Sequence, residues 1–171
     1  MRLLVYGFGP YRQFRDNVTG KILRQLPRKN GFKKIVFPVR FHKGQFINAV
    51  KGYDPSVVLG LGQCSSGRSL RIETRAVNRR RNDTNEEARP IVAGGRKSLE
   101  TDFKLKLGRY GRPSNSAGDY VCNYSMYVIL DFIKRRRRKV RFGFIHIPYG
   151  YDAGRAARLL LQALAKSVKT A

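Results

Sequence analysis

Three side chains could do chemistry together: the thiol of Cys122, the imidazole of His146 and the carboxylate of Glu73. A cysteine becomes a nucleophile when a base takes its proton, and that base needs an acceptor that fixes its tautomer. A thiol, a ring base and an acidic residue supply the parts that an activated cysteine nucleophile needs. Each also has a plainer reading. Free cysteine is among the most buried residue types, so Cys122 could be a small core residue. His146 could be a satisfied core histidine, and Glu73, acidic within LRIETRAVNRRR, could pair with Arg71 or Arg75 in a surface salt bridge. The other histidine, His42, has no ionisable group with a partner role beside it and reads as structural. No metal is implied, since the two histidines and two cysteines form no pair at ligand spacing. No dinucleotide cofactor is implied either, because GFGP lacks the third glycine of that fingerprint.

The elements around these residues support a shared site. Val121, Tyr124, Val128 and Phe132 form one helical stripe, and Cys122, Met126, Ile129 and Ile133 form its neighbour. Such a helix is mostly buried. With Asp119 as its cap, Cys122 falls in the first turn, where free N–H groups and the positive end of the dipole favour a thiolate. His146 lies at the end of the apolar strand Val140–Ile147, before Pro148, and ligands gather at C-terminal strand ends in open α/β sheets.

Earlier in the chain, Leu3–Tyr6 reads as a buried strand and Asn17 caps a helix running through Leu26. Ile35–Phe41 reads as a strand, His42–Tyr53 as a helix and Val57–Leu61 as a strand covered on both faces. Asp152–Val168 is an amphipathic helix with Asp152 as its cap. This alternation predicts one α/β domain over residues 1–171: a twisted, mostly parallel sheet flanked by helices on both faces. The alternation fails between Gln63 and Gly111, a stretch rich in Gly, Arg, Asn and Ser, where functional loops or hairpins are expected.

Composition excludes several classes. Two cysteines make no secreted disulfide framework, and no run is long enough to span a membrane, so a cytoplasmic protein is expected. The net charge is +25, from 36 basic and 11 acidic residues. Such a field attracts polyanions nonspecifically. The densest run, KRRRRK at Lys134–Lys139, carries no interleaved aromatics for stacking bases.

In order along the chain, GFGPYRQFRDN (Gly7–Asn17), LGLGQCSSGR (Leu59–Arg68), IETRAVN (Ile72–Asn78), SNSAGDYVCN (Ser114–Asn123) and FIHIPY (Phe144–Tyr149) resemble the motifs of the pyroglutamyl peptidase I family. PVRFHK (Pro38–Lys43) and PIVAGG (Pro90–Gly95) also have counterparts. That resemblance implies a cytosolic cysteine peptidase, without cofactor, that removes N-terminal pyroglutamate from peptides. It implies Cys122 as nucleophile, His146 as general base and Glu73 as the group orienting it. Phe8 and Tyr11 would pack on the flat lactam, with Tyr120 and Val121 also lining its site. Asn17 and backbone near Gln63 would meet its polar edge, and Arg68 would support the oxyanion. A homo-oligomer, dimer or tetramer, is implied as well. Departures from the family pattern are Arg12-Gln13 in place of Gly-Gly, Thr74 in place of Arg, Asp119 in place of Thr, and Cys64 in place of Ala. The alternative reading is a weakly active or inactive binding protein on the same fold, using its cationic surface for nucleic acid or other polyanions.

Overall fold

A computed structural model describes residues 1–11, 14–28, 30–83 and 85–169, with side chains through residue 167. The expected departure at positions 12 and 13 therefore lies outside the described residues.

The first half alternates as expected: β1 (Leu3–Phe8), α1 (Val18–Gln25), β2 (Phe32–Phe37), α2 (Lys43–Tyr53) and β3 (Val57–Cys64). Asn17 caps α1, its side-chain oxygen accepting from the Thr19 N–H at 3.0 Å. β2 begins and ends earlier than its apolar run suggests. Its start is hidden by Lys33 and Lys34, and Pro38 can donate no ladder hydrogen bond. Lysines suit β2, which is an edge strand. The second half holds β4 (Leu70–Glu73), β5 (Arg75–Val77), β6 (Ser98–Glu100), a short 3-10 turn at Gly108–Tyr110, and β7 (Gly111–Ser114). It ends with α3 (Val121–Arg135), β8 (Arg141–Pro148) and α4 (Ala153–Lys169). Asp152 starts α4 as expected, accepting from the Arg155 N–H at 2.6 Å.

Six strands form one sheet in the order β2-β1-β3-β8-β4-β7, and β5 pairs with β6 in a separate antiparallel ribbon. The pairs are parallel except β4 with β8. Alternation along β1 shows the layering. Leu3 and Val5 pack with α1 and α4, while Leu4, Tyr6 and Phe8 pack with α2 and α3. Fully burying one such large apolar side chain contributes about 1.5–3 kcal/mol. Twelve of the fifteen residues of α3 are buried, so this helix is a core element and its first turn is rigidly placed.

The strand order reverses between β1 and β3. β1 and β3 pair only from Leu3–Val57 to Tyr6–Gly60. Beyond Gly60, β3 continues to Cys64 along β8 alone. This switch point opens a crevice at the C-terminal strand ends.

Candidate active site

The crevice is a cavity of about 430 Å³ whose walls include Phe8, Tyr11, Asn17, Gln63, Tyr120, Val121, Cys122 and His146. Phe8 ends β1, Gln63 lies near the end of β3 and His146 near the end of β8, while Val121 and Cys122 open α3. Residues from distant stretches of sequence therefore meet at one point.

Glu73 is fully buried and His146 is 6 % exposed. Their contact is a 2.8 Å hydrogen bond between His146 Nδ1 and Glu73 Oε1. The surface ion-pair reading of Glu73 is thereby excluded. With Nδ1 engaged by Glu73, Nε2 is the ring nitrogen on the side of the thiol: Nε2 and Cys122 Sγ flank the same point beside Gly62. Gly62 makes room for this contact. A Cβ there would stand 2.8 Å from both Cys122 Sγ and His146 Nε2. Burial alone pulls the imidazole pKa down. The Cys122 sulfur and then the Glu73 carboxylate more than offset that, pushing it up to about 9.

The start of α3 is held from two sides. Tyr6 Oη lies 2.9 Å from Ser125 Oγ, which donates to the Cys122 carbonyl at 2.8 Å. Asn123, fully buried, accepts from the Val77 N–H and donates to the Val77 and Arg79 carbonyls, so β5 is tied to the turn carrying the thiol. Gly118 adopts φ +75°, a left-handed turn that aims the chain into the helix. The helix cap differs from the expected one. The cap position is Tyr120, with no side-chain capping bond. Asp119 instead faces Arg81 at 3.2 Å and Arg79 at 3.8 Å, so its charge is compensated outside the helix end. The first N–H groups of α3 thus receive no capping bond from Tyr120, and Cys122 is the second helical residue.

Two other expected residues differ in detail. Arg68 does not line this cavity. It lies in a neighbouring cleft, because the chain turns away after Ser66, and Arg71 of β4 lines both spaces. Asn17 does line the cavity, but its amide is occupied: Oδ1 accepts from Thr19 and Nδ2 donates to the Gly9 carbonyl at 3.1 Å. Gln63 also lines the cavity; its side-chain oxygen accepts from the Val18 N–H at 2.9 Å, while its buried Nε2 has no hydrogen-bond partner among the described residues. Tyr11 and Tyr120 stand 6.3 Å apart, and Phe41 buttresses Tyr120 edge-on at 5.3 Å. Arg71, Gly62 and Asn123 escaped sequence reasoning. Gly62 could have been suspected, as a glycine two residues before the end of a buried strand. Among the described residues, no group of three or more His, Cys, Asp or Glu could hold a metal ion.

The α/β sheet sets a helix-borne cysteine beside a strand-end histidine, a pairing that cysteine hydrolases use. The model of the pyroglutamyl peptidase family matches residues 1–153. The chain is 30 % identical over 168 residues to the pyrrolidone-carboxylate peptidase of Staphylococcus saprophyticus, covering 87 % of this chain and 79 % of that one. It is 29 % identical over 167 residues to the Fusobacterium nucleatum protein of the same name, covering 86 % and 78 %. Its fold matches pyrrolidone carboxyl peptidase from Thermus thermophilus with a TM-score of 0.79 at 28 % identity, over 95 % of this chain and 98 % of that one. It also matches pyroglutamyl peptidase I from Bacillus amyloliquefaciens with a TM-score of 0.83 at 23 % identity, over 94 % and 91 %. The chain belongs to the pyroglutamyl peptidase family of cysteine peptidases. No helix among the described residues is long and apolar enough to cross a membrane.

Proposed function

We propose that this enzyme removes N-terminal pyroglutamate from peptides through a Cys122–His146–Glu73 triad and an acyl-enzyme. The observation that carries the reading is the 2.8 Å His146–Glu73 hydrogen bond behind a thiol that opens onto an aromatic-walled cavity. His146 takes the proton of Cys122, and the sulfur attacks the pyroglutamyl carbonyl. The raised pKa lets the ring hold that proton as imidazolium until it is given to the leaving amine. Water, deprotonated by His146, then hydrolyses the thioester. Glu73 holds the imidazole in the tautomer that presents Nε2 to sulfur. The first N–H groups of α3 carry no capping bond from Tyr120 and stand beside the thiol, where they can receive the oxyanion.

The lactam is flat and uncharged. Phe8, Tyr11 and Tyr120 give it an apolar slot, with Val121 below. The β3 backbone at Gln63, past the end of its pairing with β1, supplies donor and acceptor groups for the lactam edge. Asn17 shapes this corner by holding α1 and the Gly9 carbonyl in place.

The test is release of a fluorophore from a pyroglutamyl amide by the wild type and by Cys122→Ala, with a prolyl amide as control. Thiol-dependent release from the pyroglutamyl amide alone, lost in the variant, is expected. A folded wild type with no release between pH 6 and pH 9 would overturn the reading.

A further inference from the structure

Beside the catalytic cavity lies a second cleft of about 580 Å³, lined by Arg68, Arg71, Arg112, Ser69, Thr74 and Asn115 among others. The two spaces share Arg71, and the segment from Ser114 to Gly118 walls both, its first part facing the cleft and its later part the cavity. Arg71 stands directly opposite His146 across the β4–β8 pair. The cleft therefore adjoins the cavity on the Arg71 side.

Its charge is unbalanced. No acidic side chain among the described residues lines it. Among the described residues, none of the three guanidinium groups forms an ion pair with a carboxylate. Arg71 donates to the Ser66 carbonyl at 2.9 Å and Arg112 to Ser69 Oγ at 3.1 Å, both neutral acceptors that leave other N–H donors of each fork available. Elsewhere, carboxylates do pair with arginines: Asp119 with Arg79 and Arg81, Asp131 with Arg135, and Asp54 with Arg138. Three arginines converging on one concavity without an acid form a receptor for carboxylate, which a guanidinium binds in bidentate fashion.

We infer that this cleft binds the leaving portion of the substrate and selects peptides with an acidic residue shortly after the pyroglutamyl group. The inference rests on the pyroglutamyl peptidase reading, which puts the neutral ring in the apolar slot and sends the rest of the peptide out of the cavity. An extended peptide, advancing about 3.3 Å per residue, that leaves the cavity on the Arg71 side passes into this adjoining cleft. The recognised group is a carboxylate, from an acidic side chain or from the C-terminus of a very short peptide.

The experiment compares kcat/KM for pyroglutamyl-Ala-Glu-amide, pyroglutamyl-Ala-Gln-amide and pyroglutamyl-Ala-Gln with a free C-terminus. The wild type is expected to prefer the Glu amide over the Gln amide by about 10-fold at 50 mM NaCl, mainly through KM, with the preference shrinking at 500 mM. The free-carboxylate peptide separates the two sources: matching the Glu amide assigns the site to any nearby carboxylate, and matching the Gln amide assigns it to the side chain. The double variant Arg68→Gln/Arg112→Gln is expected to bring the Glu-to-Gln ratio within about twofold of unity. Arg136→Gln/Arg137→Gln, which removes the same charge from the run between α3 and β8, should leave the ratio intact. Equal loss in both double variants, or no acid preference in an active wild type, overturns the inference. Should the wild type cleave none of the peptides, the peptidase reading fails separately. The cleft is then judged by anisotropy of fluorescein-labelled Ala-Glu-amide and Ala-Gln-amide on the same proteins: Arg68/Arg112-dependent preference for the acidic ligand upholds it, and equal binding overturns it.

Discussion

Glu73 and His146 are diagonal neighbours across two antiparallel strands. The residue directly opposite His146 is Arg71, and Glu73 is opposite Phe144. Because side chains two apart share a face, the carboxylate reaches past one ladder position to the imidazole, on the same side of the sheet as α3. An antiparallel strand inserted into an otherwise parallel half-sheet is what makes this reach possible.

Glu73→Gln should keep the hydrogen bond but remove its charge. Burial lowers the imidazole pKa, whereas Cys122 and Glu73 raise it, so losing Glu73 must move it down. The alkaline limb of kcat/KM, expected near pH 9 in the wild type, should shift to lower pH, and kcat should fall by about 10²–10⁴-fold. The sign for stability follows the same shift. The folded-state value lies above the ordinary 6.5, so this contribution is complete below that value and is lost as pH rises through about 9. A pH profile of Glu73→Gln with an unmoved alkaline limb would exclude the charge from this role.

Gly62→Ala should disable the enzyme with little unfolding. The added methyl would meet Cys122 Sγ and His146 Nε2 at 2.8 Å, and neither atom is the loose end of a long side chain. Thiol and base must part, and displacement of about 1 Å at a reacting pair costs on the order of 100-fold in kcat/KM. Steady-state kinetics with circular dichroism checks this: near-wild-type turnover by the folded variant would show that the contact needs no glycine.

The layered fold was legible because α1, α3 and α4 carry apolar helical stripes, β3 is a continuous apolar run, and Asn17 and Asp152 cap α1 and α4. The grouping of Cys122, His146 and Glu73 was legible because chemistry narrows the choice: two histidines and two cysteines leave few combinations. What stayed hidden is nonlocal. β4 and β7 are four residues each and lie in arginine-rich stretches, too short for their pattern to stand out; partners far along the chain make them strands. Pro90–Val92, apolar in sequence, forms no strand because Asn78 Oδ1 binds the N–H groups of Ile91 and Val92. Asp119 looked like a cap since the helix pattern follows it. Arg79 and Arg81, brought close by the β5 segment, take its carboxylate instead.

The two thiols in the cavity should differ sharply in reactivity. Burial pushes the Cys64 thiol up, only partly countered by Arg71, and among the described residues Cys64 has no imidazole in contact. Cys122 has His146 to take its proton. Iodoacetamide at pH 7.5 should therefore label Cys122 about 10-fold or more faster than Cys64, and activity loss should track Cys122 labelling by peptide mass spectrometry. Cys64→Ala should retain turnover. Faster labelling of Cys64, or loss of activity in Cys64→Ala, would reassign the nucleophile.

Asn123 sits one residue after Cys122, the proposed nucleophile, yet its chemistry is structural. Oδ1 accepts from the Val77 N–H at 2.9 Å, while Nδ2 donates to the Val77 and Arg79 carbonyls at 2.9 and 2.7 Å. Asn123→Ala leaves one backbone donor and two acceptors without these partners beside a fully buried position. Each buried unsatisfied group costs about 1–3 kcal/mol, and partial access to water tempers the sum, so a loss of about 2–4 kcal/mol is expected in urea unfolding. Asn123→Asp should not rescue it: the carboxylate still accepts from Val77 but faces two carbonyls with no proton to give and buries a charge. Turnover should fall in both variants, since β5 no longer fixes the first turn of α3 and the thiol drifts from His146. Were Asn123→Asp as stable and active as wild type, the two donated bonds would carry no weight in positioning Cys122, and the Tyr6–Ser125 contact to the Cys122 carbonyl would be left as the main anchor of that residue.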